Sequence, residues 1–66
     1  MKLNRIADDA EIEVSHEELL VLNAALNEVC NGIDMFEFET RIGAPRAKAE
    51  RLMAEIQAAL DQFEKR

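Results

Sequence analysis

One cysteine, one histidine, one proline and two glycines are all that this 66-residue chain has of the residues that most often staple, ligate or bend a small domain. Cys30 alone cannot close an intrachain disulfide, and no Cys/His set with structural-zinc spacing surrounds it. Two glycines leave no glycine-rich phosphate loop, and no Ser/His/Asp set is legible, so the chain reads as a non-enzyme with no metal, cofactor or small-molecule ligand. No stretch approaches the ~18 apolar residues that span a bilayer, and Met1 to Ala7 lacks the apolar run of a secretory signal. The expectation is a cytoplasmic protein with no membrane partner.

What is present is charge, and it is segregated. The net charge is −6. From Asp8 to Glu39 there are ten acidic residues and no Lys or Arg, whereas Arg41 to Arg51 carries four basic residues against Glu50 alone. Such a bias makes either a solvated acidic face or an interface with a basic partner. A chain this short builds one core, and a domain of about 60 residues buries only roughly 60% of the surface its unfolded form exposes. A second copy of the chain is therefore a natural source of extra burial.

The pattern predicts a mostly α protein: a small three-helix domain (long, short, long) over residues 15–66, preceded by an extended segment over 1–14 with a short strand at 11–14. Glu11-Ile12-Glu13-Val14 alternates charged and apolar residues. Lys2-Leu3-Asn4-Arg5-Ile6 lacks the alternation of a hairpin partner, so the strand is expected to pair with a symmetry-related copy. Ser15-His16-Glu17-Glu18 has the capping-box spacing and starts the first helix at His16. Leu19, Leu22, Leu26, Val29 and Ile33 form its apolar line, with Asn23, Asn27 and Glu28 off it, and Gly32 is expected to terminate it. Asp34 with Glu37 repeats the capping logic for a short helix across 35–42 that stops at Gly43, with Phe38 and Ile42 inward. Pro45 opens the third helix, whose line is Ala49, Leu52, Ile56, Ala59 and Phe63, backed by Met53 and Leu60. Met35 and Met53 are expected to fill gaps in the core.

Residues 38–52, Phe38-Glu39-Thr40-Arg41-Ile42-Gly43-Ala44-Pro45-Arg46-Ala47-Lys48-Ala49-Glu50-Arg51-Leu52, resemble the helix-turn-helix of DNA-binding regulators. The resemblance implies that Arg46, Lys48 and Arg51 meet DNA from the second helix. Glu39 stands where that family has a small residue, and Glu50 places a carboxylate on the reading face. Phosphate contacts dominate DNA affinity, so ten uncompensated acids would all have to turn away from the duplex.

The functional expectation is therefore a small acidic, non-catalytic protein-interaction module, either a homodimer or an adaptor or inhibitor of a basic protein. The alternative is a small helix-turn-helix DNA-binding regulator. Interface candidates are Ile12 and Val14 on the strand, Phe36, which lies well around the short helix from Phe38, and Glu37 beside it. His16 is expected to point to water and Cys30 to pack as a small buried thiol, with no histidine or basic residue beside it in sequence.

Overall fold

The computed structural model describes residues 1–66 apart from the side chain of Met35, so the expected core role of Met35 lies outside the described residues. The chain runs β1 (Lys2–Ile6), β2 (Ala10–Glu13), α1 (His16–Gly32), α2 (Met35–Ile42) and α3 (Arg46–Glu64). Three helices in the order long, short, long bear out the mostly α expectation, and a small sheet is added to it.

That sheet corrects the reading of the N-terminus. β1 and β2 form an antiparallel hairpin within one chain, pairing Lys2 with Glu13, Leu3 with Ile12, Arg5 with Glu11 and Ile6 with Ala10. The strand needs no second copy for its pairing, and it ends at Glu13, so Val14 lies beyond the ladder. The register skips Asn4, a β-bulge between the Leu3 and Arg5 pairs. An inserted residue resets the alternation of side chains. Leu3 and Ile6, three apart, thus come to one face with Ile12 and Ala10, while Lys2, Arg5, Glu11 and Glu13 take the other. On that polar face Asn4 Nδ2 donates to Glu13 Oε1 at 3.3 Å and Arg5 meets Glu11 at 3.6 Å.

Helix α1 begins as its sequence dictates. Ser15 Oγ accepts from the Glu18 N–H at 3.1 Å and Glu18 Oε1 accepts from the Ser15 N–H at 2.9 Å, a complete capping box. Its end is a correction: Gly32 stays helical and the chain leaves through Ile33, whose φ of −111° and ψ of 130° are extended. The extended turn at Ile33 lets this side chain pack against Cys30, Phe38 and Ala49. Asp34 precedes α2 without a side-chain capping bond, contrary to expectation, and its carbonyl accepts from the N–H groups of Glu37 and Phe38. Gly43 closes α2 with φ +86°, a left-handed conformation that costs a residue with a Cβ.

Helices α1 and α3 run antiparallel, since the start of α1 meets the end of α3 through His16 and Phe63, and Asn23 meets Gln57 midway. Cys30, Phe38, Ala49 and Leu60 are the buried residues, with Val29, Ile33 and Met53 packed around the Cys30–Phe38–Ala49 cluster. The seam uses Leu19, Asn23, Leu26 and Cys30 of α1 against Ala49, Met53, Ile56, Leu60 and Phe63 of α3, which are buried or half-buried. Each helix is thus rotated from its expected line. Leu22 and Leu52 remain 38% and 49% exposed, and Ala59 is exposed as well. The molecule measures 38 × 30 × 15 Å, thin in one direction because two helices side by side form a single layer with α2 closing one end.

Candidate interaction surface

Phe36 and Phe38 are neighbours on α2 with opposite fates. A rotation of 100° per residue puts two positions about 200° apart on a helix, so seating Phe38 at 1% exposure leaves Phe36 at 98%. An exposed aromatic ring forfeits its burial free energy, about 1.5–3 kcal/mol for a side chain of this size. Glu39 and Thr40, three and four positions on, share this outer face and are exposed. Glu37 lies on the flank and reaches Arg41 at 3.7 Å across one helical turn, a pair open to water. Asp34 and Glu39 make no side-chain hydrogen bond or ion pair among the described residues. The α2 face is therefore an apolar ring bordered by carboxylates.

The remaining interface candidates separate from Phe36. Ile12 is on the apolar face of the hairpin and is 48% exposed, whereas Val14 is half-buried in the connection to α1. The two lie at the opposite end of α1 from α2, so the structure divides them into two surfaces. Between hairpin and helix, Met1, Ser15, Glu17, Glu18, Val21 and Leu22 line an open cleft of about 330 Å³. The α-amino group of Met1 donates to Glu18 Oε2 there. That cation, followed by the Ser15 N–H, lowers the Glu18 pKa from 4.5 to about 2.

The three basic candidates of α3 are also divided. Arg46 Nε donates to Glu50 Oε1 at 2.8 Å, an i,i+4 pair along the helix. Lys48 and Arg51 lie 160° and 140° around the cylinder from Arg46 by helical rotation. They line a second open cleft, about 300 Å³, with Ala44, Leu52 and Glu55. Arg46 is thus turned toward its own helix's carboxylate, and Lys48 and Arg51 form the exposed cationic pair.

Two contacts escaped the sequence. His16 is exposed, as expected, but its ring stacks on Phe63 with centroids 4.6 Å apart and an interplanar angle of 10°. A separation of 47 residues gives no local signal of it. Asn23, expected off the core line, lies in the seam and donates from Nδ2 to Gln57 Oε1 at 3.3 Å, while Gln57 Nε2 donates to Asp61 Oδ1 at 3.2 Å. Cys30 is buried as a free thiol at 2% exposure.

Among the described residues no group of three or more His, Cys, Asp or Glu side chains is placed to hold a metal ion, and no helix is long and apolar enough to cross a membrane. Comparison of the chain with family models, with curated proteins and with solved structures finds no match to any of them.

Proposed function

We propose that the chain is a non-catalytic protein-interaction module whose α2 face binds a basic protein. The observation that carries this reading is Phe36, 98% exposed on a helix whose other phenylalanine is buried. Aromatic side chains seated in a partner's pocket supply much of the energy of protein interfaces, and surrounding polar groups exclude water from them. Glu39 on the same face and Glu37 on its flank border the ring with negative charge, which favours a partner whose pocket is rimmed by Lys or Arg. An adaptor or an inhibitor that masks a basic surface fits this chemistry.

The test is affinity capture from the source cells with wild-type chain and with Phe36→Ala. The expected result is one basic protein retained by wild type, released as salt is raised, lost with Phe36→Ala and kept by the Arg46→Ala/Lys48→Ala/Arg51→Ala variant. Equal retention by Phe36→Ala would remove this face from the function.

A second reading is favoured by one feature, the α2–α3 corner. Left-handed Gly43 and a three-residue connection join α2 to a helix that displays Lys48 and Arg51. This is the arrangement a helix-turn-helix regulator uses to present cations to phosphates. Binding to random-sequence DNA in dilute salt separates the readings, because nonspecific phosphate attraction is strongest there.

A further inference from the structure

The two broad faces of the α1–α3 layer differ in character. In an antiparallel helix pair, turning in the same sense from each seam leads to the same face of the layer, and the Asn23–Gln57 hydrogen bond marks one of them. Asn27 and Asp61 turn to that polar face, whereas Leu22, Leu52 and Ala59 turn to the other and are exposed. On this second face α3 and its N-cap present one line at spacings of three and four: Pro45, Lys48, Leu52, Glu55 and Ala59, all of them exposed. Lys48, Leu52 and Glu55 line a single open cleft.

This line is complementary to its own reverse. Pro45 and Ala59 stand seven positions either side of Leu52, with Lys48 four before it and Glu55 three after it. At about 1.5 Å per residue, the two charges lie about 6 and 4.5 Å from Leu52 along the helix, a mismatch that a lysine chain spans. Laid antiparallel on a copy of itself about a two-fold axis through Leu52, the helix sets the two leucines together and Lys48 of each copy against Glu55 of the other. Pro45 of each then faces Ala59 of the other, small residues at both ends of the contact. Among the described residues neither Lys48 nor Glu55 meets an opposite charge in its own chain, unlike the Arg46–Glu50 and Arg41–Glu37 pairs. Residues 44–55 carry three basic and two acidic residues in a chain of −6, so two copies approach here without the repulsion that the rest of their charge imposes. A nucleic acid or an acidic protein would satisfy Lys48 and be repelled by Glu55; a reversed copy satisfies both.

We propose that this line of α3, centred on Leu52, is the surface on which a second copy of the chain docks, antiparallel and two-fold. Leu52, 49% exposed in one chain, supplies the apolar centre. The reciprocal Lys48–Glu55 pairs fix direction and register, as flanking charges do between paired helices. The contact is independent of the basic partner proposed for α2, since it uses neither Phe36 nor the carboxylates beside it. It competes with the helix-turn-helix reading, because both call on Lys48.

Sedimentation equilibrium of the full chain, from micromolar to millimolar concentration in moderate salt, tests it. Wild type is expected to approach twice 7.5 kDa. Lys48→Glu, which sets Glu against Glu, and Glu55→Lys, which sets Lys against Lys, are each expected to give the mass of one chain. Helical circular dichroism should be unchanged in both, since both positions are exposed. Mixed in equal amounts, the two variants are expected to recover the two-chain mass, because one offers two anions where the other offers two cations. The double variant Lys48→Glu/Glu55→Lys is expected to recover it alone. Phe36→Ala should remain dimeric, and its dissociation would assign the contact to α2 instead. A single-chain mass for wild type throughout the range overturns the proposal. So does a dimer that persists in either single variant, or a mixture or double variant that stays at the mass of one chain.

Discussion

The α2 corner and the N-terminal hairpin use similar residues to opposite ends. At the corner Phe38 enters a gap among Cys30, Val29, Ile33, Ala49 and Met53, drawn from both long helices. At the hairpin Leu3, Ile6 and Ile12 find one another across two strands and nothing beneath them. Hydrophobicity is comparable in the two places; what differs is the number of elements that converge. A side chain is buried when a second layer exists to receive it, and a two-stranded hairpin alone is marginal in water. Stability should therefore be concentrated at the corner, and the hairpin should contribute through what it meets.

Three substitutions of decreasing effect sharpen this contrast. Phe38→Ala at the corner is expected to cost about 3–5 kcal/mol, transfer plus cavity, which will leave so small a domain largely unfolded. A urea midpoint within error of wild type would mean that the corner is not the centre of the fold.

Ser15→Ala, at the junction of the two regions, should cost about 1 kcal/mol by removing the acceptor of the Glu18 N–H. Glu18 adds a pH signature at the same place. Its folded pKa of about 2 lies below the ordinary 4.5, so the stability its anion contributes is present above pH 4.5 and is lost as pH falls toward 2. Thermal melts across that window should fall less steeply for Glu18→Gln than for wild type, and identical slopes would detach Glu18 from the folded state's proton balance. Smallest of the three, Ile6→Ser is expected to shift stability by no more than about 0.5 kcal/mol in chemical denaturation. A larger loss there would show that the hairpin already rests on the helices of its own chain.

The same contrast explains which parts of the molecule were legible from residues alone. Ser15 and Glu18 are three apart and satisfy each other's backbone, a local signal that needs no tertiary context, and Gly43 likewise marks the end of α2 by its own conformation. The exposure of Phe36 followed from placing Phe38 inward. The hairpin was illegible because one bulge at Asn4 converts an apparent spacing of three into a shared face. Gly32 misled because a glycine is permitted, not obliged, to end a helix, and the burial of Ile33 decided the geometry there. Both long helices carry apolar residues over an arc wider than their mutual seam occupies. The line that includes Leu22 and Leu52 was as periodic as the one that includes Asn23, Cys30 and Leu60, and only the partner helix could choose between them. Phe36 was picked out from sequence as a surface residue, but the apolar face formed by Leu3, Ile6 and Ile12 depended on a hairpin that the pattern concealed.

The amide of Asn23 gives the helix pair a reference mark. Its Oδ1 is buried without a hydrogen-bond donor among the described residues, while its Nδ2 reaches Gln57, so the group is poorly rewarded for its place. Its value lies in the alternatives it makes worse. Greasy helices can slide along each other by a whole turn, about 5.4 Å, at small cost, exchanging one set of aliphatic neighbours for another. A slide in one direction would bring Asn23 opposite Met53, stranding the amide's remaining bond against a thioether and leaving Gln57 without its donor. The Asn23–Gln57 bond at the edge of the seam thus makes that slipped packing worse than the native one, exchanging a little depth of the native well for a wider gap to this neighbour.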